Sequence, residues 1–326
     1  MSELGFGLIG CGQMGRSLAD SITKRSDCRL VGVADPLTEA RQQAAQTYGA
    51  LAFADYRDLL SRRDIQAVVV ATPSHLHREI TVCAAEAGKH VFCEKPMALS
   101  VADCDAMIET AGRAGVKLMV GHVLRLMFPW WRIKELARES ELGTPFCVSI
   151  RRAHRWTGGG WRAQRELSGG PLFEVSVHEL DFMRHLCGEV AQVSAYGGRF
   201  VRQDADYYDT YLINLRFRSG ALGQLHGGTT TAGHFYDGRI VCPRGTLSFG
   251  PEWGTGTVQR PEGEPEALQP EGQSGPVGID WEVDSFVRWV LRDEAPVVTA
   301  QDGRAAVQLA EAAYRSIAEQ CAVDIP

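Results

Sequence analysis

The sequence predicts an α/β protein in which a doubly wound parallel sheet is followed by a second α/β domain with a large, open, mostly antiparallel sheet. Before Gly121, short apolar runs alternate with helix-length amphipathic segments, and this alternation is typical of a parallel sheet with right-handed crossovers. After Gly121, short runs of period two are separated by turn signals such as Ser219-Gly220, which indicates antiparallel pairing. We therefore predict a first domain over 1–122 and a second over 123–326.

The run at 67–71 is apolar throughout, as expected of a parallel strand buried on both faces by helices. Strands are expected at 4–9, 29–34, 67–71, 90–93 and 117–120, with helices at 13–23, 39–48, 75–87 and 101–114. In the second domain, strands are expected at 146–152, 193–197, 211–217, 222–226, 239–242 and 246–249, with helices at 130–141, 172–186, 281–291 and 302–321. The segment 250–278 is rich in Gly, Pro and Glu and is predicted to be a surface loop.

Composition excludes several classes of protein. The 326 residues carry a net charge of -6 without a basic stripe, which argues against a nucleic-acid partner. No apolar run approaches the ~20 residues that span a bilayer, and the N-terminus lacks the features of a signal peptide. The nine cysteines are odd in number and contain no Cys-x-x-Cys pair, which disfavours a disulfide framework or a metal site. We expect a cytoplasmic protein.

A glycine-rich turn follows the first predicted strand and opens the first predicted helix. It reads Gly10-Cys11-Gly12-Gln13-Met14-Gly15. In this context Gly-x-Gly-x-x-Gly is the fingerprint of a dinucleotide-binding Rossmann domain, in which the glycines permit a tight turn, backbone approach to the pyrophosphate and close helix packing. The N–H groups at the helix N-terminus would bind the phosphates. An ordinary glycine-rich strand–helix turn is the alternative.

Asp35 lies at the end of the second predicted strand, 20 residues after Gly15. A carboxylate at this position can accept hydrogen bonds from the adenosine ribose, and it would repel a 2′-phosphate. We therefore predict NAD as the cofactor, with NADP disfavoured. Asp35-Pro36 is also a turn signal, and the two roles are compatible.

Two further segments follow predicted strands of the parallel sheet, at the edge where such sheets bind ligands. They are Thr72-Pro73-Ser74-His75 and Glu94-Lys95-Pro96, and both are candidates for cofactor binding. The Lys95 amine would lie near the nicotinamide and could exchange a proton with a substrate hydroxyl. As alternatives, Ser74 could only cap the next helix, and Lys95 could be a solvated charge.

A second candidate cluster lies on the helix predicted at 172–186. Glu174, His178 and Asp181 are spaced i, i+4 and i+7, so they would share one face of an α-helix. Two carboxylates beside an imidazole can orient it and tune its proton affinity. A polar, solvated helix face is the alternative. Three residues in and beside the glycine-rich loop before this helix are candidates for substrate contact or for surface anchoring: Arg155, Trp161 and Arg162.

These motifs, in this order, resemble those of the Gfo/Idh/MocA oxidoreductases, and the resemblance extends over nearly the whole chain. It rests on the glycine fingerprint, 71–75, 94–96, Gly121 with Arg125, Gly169-Gly170 followed by His178-x-x-Asp181, and Asp209 followed by 215–223. It implies a Rossmann domain joined to a sheet domain that binds substrate and forms homodimers or homotetramers. It also implies Lys95 and His178 as catalytic residues. The chain departs from the family pattern where Glu174 replaces an aspartate, Ser176 and Pro171 replace glycines, and Pro129 falls one residue late.

The resemblance implies hydride transfer between a nicotinamide cofactor and a small polyhydroxylated substrate, such as a sugar, a cyclitol or a related secondary alcohol. We expect Lys95 or His178 to accept the hydroxyl proton, and Glu174 and Asp181 to orient the histidine. Substrate contacts are expected from Lys95, Arg125, Arg155, Trp161, Arg162 and His178. Two alternatives are a redox-neutral NAD-dependent glycosidase or epimerase and a non-catalytic NAD(H)-binding sensor. The sequence does not distinguish substrate, reaction direction or the proton acceptor.

Overall fold

The computed structural model describes residues 3–155, 159–270 and 277–326. Parts of two predicted loops, 156–158 and 271–276, therefore lie outside the described residues. Two compact units are formed, one from Met1–Val123 and Pro276–Arg304 and the other from Leu124–Gly275 and Ala305–Pro326. In the part of the chain that is described, no helix combines the length and apolar character required to cross a membrane.

The strands and helices follow the predicted order closely. The strands are β1 (Leu4–Ile9), β2 (Cys28–Ala34), β3 (Leu51–Phe53), β4 (Ala67–Val70), β5 (His90–Glu94), β6 (Leu118–Gly121), β7 (Cys147–His154), β8 (Val190–Gly198), β9 (Thr210–Phe217), β10 (Leu222–Thr229), β11 (His234–Cys242), β12 (Gly245–Phe249), β13 (Gly256–Gln259), β14 (Glu266–Ala267) and β15 (Val323–Asp324). The α-helices are α1 (Gln13–Thr23), α2 (Thr38–Tyr48), α3 (Tyr56–Leu60), α4 (His77–Glu86), α5 (Val101–Ala114), α6 (Trp130–Leu136), α7 (Arg165–Ser168), α8 (Val177–Cys187), α9 (Ile279–Arg292) and α10 (Ala300–Glu319). Short 3₁₀ turns cover Ser74–Leu76, Val123–Leu126 and Gly160–Ala163, and a π-helix covers Leu172–Ser176.

The first unit contains a six-stranded sheet in the order β3-β2-β1-β4-β5-β6. Every pairing is parallel, and this order is that of a doubly wound Rossmann sheet. All residues of β1 and β4 are buried, as their apolar runs predict. The predicted parallel sheet is therefore confirmed. The sequence pattern missed β3, whose exposed edge position leaves Leu51 and Ala52 without an apolar face to bury.

Helix α9 belongs to the first unit, although the sequence predicts that 123–326 form one uninterrupted second domain. Its Phe286 is almost fully buried, with its ring centroid 6.1 Å from that of Phe6 and 5.8 Å from that of Phe92. These aromatic contacts hold α9 against strands β1 and β5. Packing of one distant helix onto a sheet leaves no local sequence signal, so the segment 276–304 was assigned to the other domain.

The second unit contains a nine-stranded sheet in the order β14-β13-β12-β11-β7-β10-β9-β8-β15. Among the strands that the structure describes in this sheet, only β7 and β10 pair in parallel, so the predicted open, mostly antiparallel sheet is confirmed. The segment predicted as surface loop at 250–278 instead contributes β13 and β14. Val258 of β13 is buried opposite Leu247 of β12, and this strand is too short to stand out in a glycine- and proline-rich stretch.

Candidate active site

The three fingerprint glycines have different surroundings. Gly10 has a φ of +97°, and a Cβ there would overlap the carbonyl oxygen of Ala71. A Cβ at Gly15 would overlap the carbonyl oxygen of Gly10. At Gly12, by contrast, a Cβ would meet none of the described atoms within 4 Å. Gly10 and Gly15 are thus required by internal packing, whereas Gly12 leaves space through which a phosphate can approach the backbone.

Helix α1 begins directly after Gly12, and no described side chain caps its N-terminus. The first N–H groups of a helix have no partner within the helix, and they carry the positive end of its dipole. This arrangement at the carboxyl end of β1 is suited to an anionic group. The residues present therefore fit the pyrophosphate of a dinucleotide.

A pair of glycine variants separates cofactor binding from folding. Gly12→Ala should leave the thermal unfolding midpoint nearly unchanged and weaken NADH binding by about tenfold or more, or about 1.4 kcal/mol, because the new methyl group enters open space. Gly15→Ala should instead lower the free energy of unfolding by about 1–3 kcal/mol, because it overpacks the turn. NADH fluorescence titration and thermal unfolding measure the two effects. Equal NADH affinity in wild type and Gly12→Ala would contradict this placement of the phosphates.

Asp35 is anchored to the glycine-rich turn. Its Oδ2 accepts a hydrogen bond from the Cys11 backbone N–H at 2.9 Å, and its Oδ1 accepts one from the Leu37 N–H at 2.9 Å. The turn role of Asp35 is therefore present in the structure. A carboxylate has about four acceptor positions, so these bonds leave capacity for ribose hydroxyls. Burial, reinforced by the charge of Asp35, raises the pKa of Cys11 to about 12, so this cysteine remains a thiol at neutral pH.

His77, which sequence reasoning did not select as a site residue, connects the two loops at the strand ends. Its Nδ1 lies 2.8 Å from the carbonyl oxygen of Pro96, and its Nε2 lies 2.9 Å from that of Thr72. The side chain is buried at the start of α4. This contact fixes the loop that contains Thr72-Pro73-Ser74-His75 relative to the one that contains Glu94-Lys95-Pro96. Nothing in the local spacing identifies this role, because it depends on two carbonyl groups from different loops.

Lys95 directly follows β5 and is half-buried. Its backbone N–H donates a hydrogen bond to Glu94 Oε2 at 3.1 Å, and Glu94 is itself only 7% exposed. A Cβ at Gly121 would come within 3.1 Å of Glu94 Oε1, so the neighbouring strand is closely packed around this carboxyl group. Glu94 therefore acts as a fixed support for the turn that presents Lys95.

In the second unit, the predicted helix at 172–186 begins as a π-helix over Leu172–Ser176 and continues as α8. A π-helix advances more residues per turn than an α-helix, and π segments are frequent at functional sites. The i, i+4 spacing of Glu174 and His178 thus crosses a change in helix geometry. The sequence predicts that Glu174, His178 and Asp181 share one face of an α-helix. This prediction is wrong for Glu174, because Glu174 lies in the π-helix.

Three predicted site residues are brought together in front of this π-helix. Arg162 Nε lies 3.4 Å from Glu174 Oε2, and the Arg162 guanidinium lies 4.4 Å from the centroid of the Trp161 ring. The Glu174 side chain is 7% exposed, whereas that of Arg162 is 49% exposed. Arg155 is also exposed, at the end of β7. The arrangement presents a cation and an aromatic face, supported by a buried carboxylate.

Asp181 pairs with Arg125, a partner that helix spacing does not predict. Arg125 binds both of its carboxylate oxygens, at 2.7 Å and 2.5 Å. The two side chains are 5% and 0% exposed, so little of either is accessible to a bound molecule. The planar guanidinium fork matches a carboxylate in this bidentate geometry. The pairing fixes the position of both side chains relative to each other, whereas substrate contact by Arg125 and orientation of His178 by Asp181 stay predictions.

A buried polar cluster beneath α8 was missed by sequence reasoning. Glu179 is fully buried, and its Oε1 accepts hydrogen bonds from Arg152 at 2.7 Å and from the Tyr236 hydroxyl at 2.9 Å. Burial lowers the pKa of His154, and the charge of Arg152 lowers it further. Arg152 follows Val148 and Ile150 at an inward position of β7. A charged residue at a position of β7 that the alternating pattern assigns to the core is the signal that could have identified the cluster.

A doubly wound sheet with this glycine-rich turn at the end of β1 defines a dinucleotide-binding protein. Comparison with known proteins gives a narrower result: the chain belongs to the Gfo/Idh/MocA oxidoreductase family, as its motifs predict. Residues 4–122 match the model described as an oxidoreductase family with an NAD-binding Rossmann fold, and residues 130–248 match the GFO/IDH/MocA C-terminal domain.

Relatives within the family differ in the reactions their names describe. The chain is 34% identical to a 2,7-anhydro-N-acetylneuraminate hydratase of Mediterraneibacter gnavus over 70% of its own length, and it spans only 62% of that relative. It is 28% identical to a myo-inositol 2-dehydrogenase of Thermotoga maritima, with 98% of both chains covered. The structure of an aldose-aldose oxidoreductase from Caulobacter crescentus, complexed with glycerol, superposes with a TM-score of 0.90 at 28% identity and covers 99% of this chain and 100% of that one.

Proposed function

We propose that the chain is an NAD-dependent oxidoreductase that transfers a hydride between the cofactor and a secondary alcohol of a sugar, a cyclitol or a related polyol. The observation that carries this proposal is the glycine-rich turn with its open Gly12 position and uncapped helix, on the same sheet edge as the turn that presents Lys95. Full-length similarity to an inositol dehydrogenase supports the substrate class.

Within this proposal, bound NAD supplies the hydride acceptor. The chain supplies the phosphate-binding N–H groups of α1, the carboxylate of Asp35 for the ribose and the amine of Lys95 as a proton carrier. As the carbinol C–H bond breaks, the hydroxyl proton must leave, and positioned proton transfer contributes about 10²–10⁴-fold to such a step. We propose His178 as a second proton carrier, and we assign substrate contacts to Trp161, Arg162 and Arg155.

The test of this function is a panel of inositols, aldoses and anhydro sugars, assayed by NADH absorbance with NAD and NADP in parallel. We expect turnover of at least one polyol and a preference for NAD of at least about tenfold, because Asp35 would place a negative charge beside a 2′-phosphate. A strong preference for NADP would contradict the role given to Asp35. Failure of every polyol to reduce either cofactor would contradict net oxidation as the reaction.

A redox-neutral reaction is a second candidate, favoured by the similarity to a hydratase. In such a reaction the hydride is removed from a substrate and returned within the same catalytic cycle. This candidate predicts that the purified protein converts its substrate without accumulation of NADH. Monitoring product by NMR alongside NADH absorbance distinguishes it from a dehydrogenase.

We further propose that the outer face of the second sheet binds another copy of the chain to give a homodimer or homotetramer. Tyr196 of β8 and Leu212 of β9 lie opposite each other and are 72% and 45% exposed. Polar side chains follow across the same face, with Asn214 opposite Gln224. Such a mixed surface is typical of interfaces between folded subunits. Sedimentation measures the mass directly, and a monomer at micromolar concentration would remove this proposal.

A further inference from the structure

Glu282 on α9 is a buried acid that the proposed function does not use. The residue is 1% exposed, and its Oε1 accepts no hydrogen bond from any described residue. The other acids in the first turns of α9 are paired: Asp280 with Lys24 at 3.1 Å, and Asp284 with Arg25 at 2.6 Å. The Lys24 and Arg25 side chains are therefore already paired with other carboxylates. A buried carboxyl group without a cation is expected to hold its proton.

The position of Glu282 relates it to the turn that presents Lys95. Phe286, one helical turn after Glu282, packs against Phe92 of β5 with a centroid separation of 5.8 Å. Glu94 lies two residues after Phe92, so its side chain projects from the same face of β5. Glu282 and Glu94 therefore extend from the two elements that this aromatic contact joins. Both carboxyl groups are buried, since Glu94 is 7% exposed and Glu282 is 1% exposed.

The electrostatics agree with this geometry. Burial raises the pKa of Glu282 well above its usual value, and the negative charge of Glu94 raises it further. Two neighbouring buried carboxyl groups cannot both ionise without a large penalty. The titratable and charged groups on or beside the elements packed against α9 are these: Arg16 and Asp20 on α1, Lys24 and Arg25 just after α1, His90, Cys93 and Glu94 on β5, and Lys117 and His122 on either side of β6. Of these, Lys117 pairs with Asp293 at 2.6 Å.

We propose that Glu282 is a protonated positioning residue, which allows the carboxylate of Glu94 to remain buried and to hold the backbone N–H of Lys95. Loss of the Glu282 proton, as the pH rises through its folded-state pKa, would add a second anion to the core near Glu94. The Glu94–Lys95 turn is then displaced. The protonation of Glu282 is independent of the proposed function, and only the consequence for catalysis by Lys95 rests on it.

The first test is the pH dependence of unfolding in the full chain and in Glu282→Gln. The folded state keeps the Glu282 proton above the glutamate's ordinary pKa of about 4.3, whereas the unfolded state loses it. The stability contributed by this proton is thus fully present below that value and is lost as the pH rises towards the folded-state pKa. Between pH 5 and pH 8, the ratio of the Glu282→Gln folding constant to that of wild type should rise about tenfold per pH unit until the folded-state pKa is passed.

Asp284→Asn is the matched control, because it removes a carboxylate from the same helix that is paired with Arg25. Its effect on stability should stay constant over this pH range. If Glu282→Gln fails to fold, Glu282→Met supplies a second uncharged side chain of similar length. A difference from wild type that does not change with pH would overturn the protonated state of Glu282.

The second test measures the turn itself. Exchange of the Lys95 amide hydrogen with deuterium, corrected for the intrinsic pH dependence, reports the hydrogen bond to Glu94. We expect wild type to lose protection by about tenfold or more at the pH where the Glu282 proton dissociates, and Glu282→Gln to retain it. Equal protection in both proteins across that pH range would overturn the positioning role. Neither measurement requires substrate turnover, so a negative substrate panel cannot be confused with failure of this proposal.

Discussion

Lys95→Ala should reduce turnover about 10²–10⁴-fold, because it removes the proposed proton carrier from the substrate hydroxyl. NADH affinity should stay within about threefold of wild type, or about 0.7 kcal/mol, since the phosphates and ribose are assigned to the glycine-rich turn and Asp35. The measurements are kcat on a substrate from the polyol panel and NADH fluorescence titration. A selective loss of kcat would place Lys95 in the chemical step and disfavour a sensor that only binds NAD(H).

Two controls make this result specific. Lys95→Arg keeps a positive charge, but a guanidinium does not release its proton in proteins, so its turnover should fall as far as that of the alanine variant. Lys24→Ala removes an exposed lysine from the same unit, with 65% of its side chain accessible, and should leave turnover unchanged. Wild-type turnover in Lys95→Ala would remove Lys95 from the mechanism, and recovery by arginine would indicate charge stabilisation in place of proton transfer.

Asp181→Ala should have the largest effect on stability among the site residues. Removing one partner of a buried ion pair costs about 3–5 kcal/mol, because the Arg125 guanidinium loses the carboxylate that it binds through two hydrogen bonds. For a unit of this size, the thermal unfolding midpoint should fall by roughly 10 °C. Differential scanning calorimetry of the full chain measures the change. Replacing both residues by leucine should recover part of the loss, because no buried charge then remains.

Asp237→Ala is the matched control for this variant. Asp237 also binds an arginine through both oxygens, with Arg151 Nε at 2.9 Å and Nη2 at 3.0 Å. The Arg151 side chain is 60% exposed and that of Asp237 is 25% exposed. This pair should therefore contribute about 0–1 kcal/mol to the free energy of unfolding. If Asp181→Ala and Asp237→Ala lower the midpoint equally, burial does not make the Arg125–Asp181 pair more stabilising than an exposed pair, contrary to our expectation.

Much of the fold could be predicted because the determining signals are local. The all-apolar run of β4 predicts a strand buried on both faces, and the structure confirms it. The glycine fingerprint likewise identifies the turn between β1 and α1, since its spacing reflects steric requirements within a few residues. The apolar pattern did not predict β3 or β14. These strands are short and exposed, so they bury few apolar side chains and leave no periodic pattern in the sequence.

The candidate site was predicted less completely, because contacts across the chain decide which group pairs with which. Helix spacing predicts that Asp181 orients His178, and it gives no sign that Arg125, 56 residues away, binds the Asp181 carboxylate. Spacing likewise assumes an α-helix through Glu174, where the backbone forms a π-helix. His77 and Glu282 gave no sequence signal, since the partners that define them lie on other elements.

By itself, the sequence determined the family and the two sheet types, and it supplied the candidate residues for the chemistry. These properties follow from periodicity, turn sterics and residue type, which neighbouring positions encode. Only the tertiary structure decided that α9 packs on the first sheet, that Arg125 and Asp181 form a buried ion pair, and that Glu282 is buried on α9. Burial and charge pairing are properties of the folded surroundings, and a one-dimensional pattern does not contain them.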